Sequence, residues 1–166
     1  NYTANTSAHI RQTQPHRNFG AEIRMIDNSV GAIVAKLEDP NSDGDTSDSI
    51  TNNTLVIFTS DNGGQLQAVW GSAPSIYFNA NGILRGGKED SYVGGLRVPM
   101  IAKWPGKITP GTTSDLPTYF ADFLPTICEI ASIKPPKYTD GLSILPTLKG
   151  NTADQKIHPY LFWQTD

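Results

Sequence analysis

Cysteine, excess positive charge and long apolar runs are all scarce in this sequence. Cys128 is the one cysteine in 166 residues, so neither an internal disulfide nor a cysteine-rich metal site can form. It lies in Phe123-Leu124-Pro125-Thr126-Ile127-Cys128-Glu129-Ile130, an apolar helical pattern that reads as a buried structural thiol. No base stands near it in sequence to make it a nucleophile. No apolar stretch approaches the roughly 20 residues that a membrane-spanning helix needs. Lys and Arg number 13 against 16 Asp and Glu, a formal net charge of -3. That balance gives no basic footprint for nucleic acid and no polybasic membrane patch. The opening Asn1-Tyr2-Thr3-Ala4-Asn5 carries neither a Met nor a basic-then-apolar leader, so no targeting signal is read there.

What is present is a loop-rich globular composition. The hydrophobic fraction is 37%, with 15 glycines and 12 prolines, too apolar for a disordered chain and long enough for one domain with a core. Ile23, Ile26, Val30, Ile33, Val34 and Leu37 recur at three- and four-residue spacing, which predicts an amphipathic helix over 19–38. A polar stretch, DPNSDGDTSDSITNN at 39–53, follows it. Its Asp39, Asn41, Asp43 and Gly44 fit the first half of an EF-hand loop, but the twelfth position is Ile50 where a bidentate Glu is needed. A solvated insertion loop is the better reading. Residues 54–60 are apolar and β-branched on both faces, as suits a strand buried in a parallel sheet. Helix, loop and buried strand make half of an α/β unit.

Between 63 and 97 the sequence is rich in Gly, Asn and Ser, and a segment that long without regular structure is usually functional. Val98 to Trp104 reads as a second strand, with Pro99 near its start or at an edge. A helix is expected over 116–131, capped by Ser114 or Asp115, with Pro125 kinking or dividing it. Asp140-Gly141-Leu142-Ser143 opens a short helix, and Tyr160-Leu161-Phe162-Trp163 reads as one more strand.

Three stretches could carry chemistry. Phe58-Thr59-Ser60-Asp61-Asn62-Gly63-Gly64 closes the first strand, and ligand sites in open α/β sheets lie just past the carboxyl ends of strands. Asp61 offers an anionic oxygen and Asn62 a neutral one, the donors that Ca²⁺ and Mg²⁺ prefer. The competing reading is a type I′ hairpin turn through Asn62-Gly63, and spacing alone leaves the two open. Lys88, in Leu84-Arg85-Gly86-Gly87-Lys88-Glu89-Asp90, has the glycine neighbours of an oxyanion pocket, although taken by itself a solvated lysine in a flexible loop is the better reading. The Walker pattern is absent. His9 and His16 precede the first helix and are either general acids or surface histidines; His158 looks structural.

Seven pieces run in one order: YTANTSAH, MIDNSVGAIVAKL, NTLVIFTSDNGG, NGILRGGK, YVGGLRVPMIAKWPGKI, DFLPTICEIA and DGLSILPTLKG. Together they resemble the sulfatases, specifically the arylsulfatase and N-acetylgalactosamine-6-sulfatase branch, over nearly the whole chain apart from 39–52. The resemblance implies an α/β, alkaline-phosphatase-like fold, present in part, with a mixed and mainly parallel sheet flanked by helices. It implies that residues 1–150 form the later part of a catalytic domain, with 39–53 as an insertion loop, and that 151–166 begin a small C-terminal subdomain. It also implies that Asp61 and Asn62 are calcium ligands, that Lys88 holds the sulfate group, and that His9 contacts the sulfate or the leaving-group oxygen, with His16 as fallback. Arg97 matches a position more structural than catalytic.

The departures set the limits. The family nucleophile is a formylglycine made from Cys or Ser in C/S-x-P-x-R, a motif that does not occur here; Cys128 is followed by Glu129-Ile130-Ala131. The family's first pair of metal-binding aspartates is missing too. The expectation is therefore a sulfuric ester hydrolase in part, inactive by itself, whose parent acts on carbohydrate or aryl sulfates. Alternatives are a non-catalytic chain that binds sulfated glycan or a partner, and a phosphatase or phosphodiesterase of the same superfamily. The latter would need extra Asp and His ligands, and no Asp-His pair follows a strand. An unpaired sheet edge would favour self-association. Asn5-Thr6-Ser7 and Asn52-Asn53-Thr54 are sequons, relevant only in a eukaryotic secretory route; a periplasmic, lysosomal or secreted home follows by family analogy alone.

Overall fold

The computed structural model describes residues 15–67 and 74–164. Its contacts fall into two compact units: Asn1–Ile50, Phe58–Ile101 and Trp163–Asp166 form the first, Thr51–Ile57 and Ala102–Phe162 the second.

In the first unit the expected amphipathic helix is present as α1, Pro15–Glu38. Phe19 near its start stacks on Phe78, with ring centroids 5.4 Å apart, just after the one-turn helix α2, Pro74–Tyr77. The polar stretch beyond α1 is an exposed loop held by its own carboxylates. Asp39 Oδ1 accepts from Ser42 N at 2.7 Å and Oδ2 from Gly44 N at 3.0 Å. Asp45 accepts from Ser47 N at 2.9 Å, which caps a short 3₁₀ turn, Thr46–Asp48. These oxygens accept from backbone N–H groups in Asx-type turns, which accounts for the Asp and Ser density of the loop. Ile50 N then bonds Leu37 O at 3.0 Å and returns the loop to the end of α1.

Strand β1, Val56–Thr59, pairs with β2, Met100–Lys103, in a two-stranded sheet. Just past β1, Gly63 N donates to Gly95 O, just before β2, at 3.0 Å. Trp104, just past β2, donates from Nε1 to Asn52 O, just before β1, at 3.1 Å. The end of each strand thus lies at the start of the other, an antiparallel pairing. Most of β1 is half-buried with Phe58 exposed, less covered than its apolar sequence suggested.

The second unit has the better core. Among the described residues the fully buried side chains are Thr126 and Asp122, each 1% exposed, with Ile144 and Leu145 beside them. Helix α4, Phe123–Ile130, begins later than the sequence predicted. A 3₁₀ turn, Phe120–Asp122, leads into it, and Ser114 accepts only from Leu116 N. The physical reason is Asp122: its Oδ2 accepts from Tyr119 N at 3.0 Å while its own N–H bonds Tyr119 O, so helix entry is fixed there. Pro125 consequently falls in the first turn, where its missing N–H has no partner to lose, and it neither kinks nor divides the helix. The helix ends in a Schellman pattern, Ile133 N to Cys128 O at 2.8 Å and Ser132 N to Glu129 O at 3.1 Å, with Ser132 left-handed at φ 56°.

Three further expectations change. Cys128 is a free thiol, half-buried rather than buried. The short helix after Asp140 is α5, Leu145–Leu148, two residues beyond the DGLS stretch. Tyr160 to Trp163 form no strand, and Tyr160 and Phe162 are largely exposed. No helix among the described residues is long and apolar enough to cross a membrane.

Candidate functional site

Asp61 and Asn62 follow β1 after Ser60, and the rival hairpin reading fails on geometry. A type I′ turn needs positive φ at both central residues. Among the described residues neither Asn62 nor Gly63 has it. The loop is instead held from within: Ser60 Oγ donates to Asn62 O at 2.9 Å, and Asn62 Nδ2 donates to Gly63 O at 2.9 Å. Asp61 is exposed.

Gly63, Gly87 and Gly94 serve backbone contact rather than unusual dihedrals, whereas Gly86 is left-handed at φ 80°. A Cβ on Gly63 would stand 1.7 Å from Gly94 O; one on Gly87 would stand 2.3 Å from Gly64 O; one on Gly94 would stand 2.1 Å from Gly86 O. Three segments, 63–64, 86–87 and the one-turn helix α3, Val93–Leu96, therefore lie backbone against backbone. Hydrogen bonds knit the seam: Lys88 N to Gly64 O at 3.1 Å, Gly94 N to Arg85 O at 2.7 Å, and Gly63 N to Gly95 O at 3.0 Å.

Lys88 stands on a tight turn. Asp90 N bonds Gly87 O at 2.9 Å, and Asp90 Oδ2 accepts from Gly87 N at 2.8 Å. Glu89, the third residue of that turn, has φ 75°, a conformation that glycine or asparagine adopts at lower cost. The Lys88 side chain is exposed. Beside it Arg85 lies over the Tyr92 ring, 3.7 Å from its centroid, and donates to the Tyr92 hydroxyl at 2.7 Å.

The structure thus joins the Asp61-Asn62 loop to the Lys88 loop through backbone contacts. His9 lies outside the described residues, and His16 is in the first turn of α1. Arg97 is exposed and closes α3 through a bond from its N–H to Val93 O at 2.8 Å. The sequence reading overlooked Asn81, whose side-chain amide bridges the two loops: Oδ1 accepts from Gly64 N at 2.7 Å, while Nδ2 donates to Gly64 O at 3.2 Å and to Gly86 O at 2.9 Å. An Asn five residues before Gly86 in a glycine-rich stretch was the available signal.

A second polar centre lies wholly in the second unit. Asp122 Oδ1 accepts from Leu142 N at 2.8 Å and lies 2.7 Å from His158 Nε2. Thr126 Oγ1 donates to Asp122 O at 2.6 Å and accepts from Ile144 N at 2.9 Å. The Tyr119 ring meets the His158 ring edge-on at 5.1 Å. Removal from water, then the Asp122 and Asp140 carboxylates, raise the Tyr119 phenol above its ordinary pKa. His158 is structural here, as its sequence context suggested.

The sulfatase family model matches residues 1–133. A sulfatase of Formosa agariphila is 40% identical over 98% of this chain and 28% of its own length. The N-acetylgalactosamine-6-sulfatase of Mus musculus is 39% identical over 86% of the chain and 25% of its own length. A solved structure from work on glycosaminoglycan metabolism by Bacteroides thetaiotaomicron superposes with a TM-score of 0.55 and 29% identity, over 75% of this chain and 25% of its own. The architecture is accordingly part of the α/β, alkaline-phosphatase-like fold. The chain belongs to the sulfatase family. It spans about a quarter of the length of the curated relatives it matches.

Proposed function

We propose that this chain is the later part of a sulfatase catalytic domain, residues 1–150, with 151–166 opening a smaller C-terminal subdomain, and that its parent hydrolyses sulfate esters. Family membership supports the reaction class, and one observation supports the site: the bond from Lys88 N to Gly64 O at 3.1 Å, which ties the lysine loop to the loop bearing Asp61 and Asn62. In this reading the Lys88 ammonium neutralises the non-bridging oxygens of the bound sulfate group. Asp61 and Asn62 give one anionic and one neutral oxygen to a calcium ion. Calcium, when bound, adds positive charge against the sulfate oxygens. His9 gives the proton that the departing alcohol needs, with His16 as the alternative.

The residues fit a calcium site only in part. No group of three His, Cys, Asp or Glu among the described residues could hold a metal ion; in this reading Asp61 and Asn62 would supply only part of a cage. The formylglycine motif C/S-x-P-x-R is absent from the 166 residues. Pure chain should therefore leave an aryl sulfate unhydrolysed, and measurable turnover would overturn that expectation. Inorganic sulfate should perturb the Lys88 amide in an NMR titration of the wild-type chain, and Lys88→Ala should abolish the response. An unchanged response in that variant would remove Lys88 from the site.

The relatives' names divide between steryl-sulfatase, 34% identical in Rattus norvegicus, and N-acetylgalactosamine-6-sulfatase, 39% identical in Mus musculus; we take the more similar carbohydrate-acting relative as the guide to the parent's substrate, with aryl sulfates as the assay class. The exposed Lys88 also fits a chain that binds sulfated glycan without cleaving it. Binding of a sulfated glycan that survives Lys88→Ala would count against both readings.

A further inference from the structure

We propose that Asn81 is the positioning residue that sets Lys88 against the Asp61-Asn62 loop, a role that rests on the sulfate reading of Lys88. Two loops of opposite function must be held in one register, and their direct link is the single bond from Lys88 N to Gly64 O at 3.1 Å. Asn81 supplies the rest. Its amide faces both loops at once, taking Gly64 N at 2.7 Å and giving to Gly64 O at 3.2 Å and Gly86 O at 2.9 Å.

The side chain is half-buried and satisfies backbone groups of 64 and 86 that lack a place in any sheet or helix. A primary amide alone among side chains offers an acceptor and two donors in one plane, which is what a donor on one loop and acceptors on both demand. Leu84 N bonds Asn81 O at 3.0 Å, so the bridge is itself anchored in the turn that leads to Gly86-Gly87-Lys88. Movement at Asn81 therefore shifts the base of the lysine turn and the loop after β1 together. Asn81 does not touch the reacting atoms in this account; it acts through Gly64 and Gly86.

The test uses the full 166-residue chain with hydrogen exchange, thermal melting and an inorganic sulfate titration. Asn81→Ala should speed exchange of the Gly64 and Lys88 amides by roughly tenfold or more, the effect of losing about one buried hydrogen bond. The Leu142 and Ile144 amides of the second unit should not change. Sulfate affinity at Lys88 should fall by a similar factor while the melting midpoint of the second unit stays put. Asn81→Asp keeps the acceptor and loses both donors, so it should retain protection at Gly64 and still lose it at Lys88; this variant decides the matter if Asn81→Ala unfolds the first unit. Unchanged Lys88 exchange in Asn81→Asp, or unchanged sulfate affinity with faster exchange, overturns the proposal. If wild-type chain shows no sulfate response, the reading of Lys88 fails, and the positioning of Lys88 for sulfate falls with it; exchange then reports separately whether the bridge exists.

Discussion

His158 Nε2 lies 2.7 Å from Asp122 Oδ1 and joins residues 36 positions apart. A carboxylate only accepts, so the imidazole nitrogen carries the shared proton. Asp122 is 1% exposed, and without the imidazole this buried carboxylate keeps the Tyr119 and Leu142 N–H groups alone, at a desolvation cost that exceeds what forming the bond gains. His158→Ala should therefore destabilise the second unit by about 2–3 kcal/mol, read from urea unfolding. Asp122→Ala should cost at least as much, because Tyr119 N and Leu142 N lose their acceptor as well. Values near zero for both would mean that the pair contributes little.

The phenol of Tyr119 gives an alkaline signature. Its pKa is raised, first by removal from water and then by Asp122 and Asp140, so folding favours the neutral form. That contribution is complete below the unfolded value of 10.0 and is lost as pH rises through the folded one. Tyr119→Phe keeps the ring against His158 and removes the titration. Unfolding free energy measured from pH 9 to 11 should fall less steeply in the variant than in wild type.

Two glycines should respond in opposite directions to the same substitution. Gly31 lies in α1 with nothing within 4 Å of an added Cβ, so Gly31→Ala should stabilise the helix by about 0.5–1 kcal/mol. Gly63→Ala drives a methyl into Gly94 O at 1.7 Å, and neither backbone can yield without opening the seam. A loss of about 3 kcal/mol or more is expected. Thermal melts of the two variants provide the comparison.

The strained turn at Lys88 can be relaxed at its neighbour. Glu89 has φ 75°, and Glu89→Gly should raise stability by about 1 kcal/mol, since the left-handed conformation costs glycine little. A drop in melting midpoint would show that the Glu89 side chain contributes more than its backbone costs.

The long elements were legible because their periods were unambiguous. The stripe from Ile23 to Leu37 marked α1, and the apolar runs at 54–60 and 98–104 marked β1 and β2. The start of α4 was not legible, since Ser114 and Asp115 fit the capping pattern and Asp122 wins through Leu142 and His158, distant in sequence. Tyr160 to Trp163 have strand composition but no pairing partner in the fold described. At the site, the residue types of Asp61, Asn62 and Lys88 drew notice by themselves. What spacing could not reveal was that Gly63, Gly87 and Gly94 are small for one another's sake, nor that Asn81 spans them.

The Asp122 centre also imposes an order on biosynthesis. A ribosome delivers Tyr119 and Asp122 first, Leu142 and Ile144 next, and His158 last. Until the stretch bearing His158 clears the exit tunnel the aspartate lacks its imidazole partner, although the Leu142 and Ile144 N–H groups can already close over the helix it begins. Closure of the second unit is a late and non-local event. A nascent chain halted just short of His158 should hold the second unit loosely and tighten when His158 arrives.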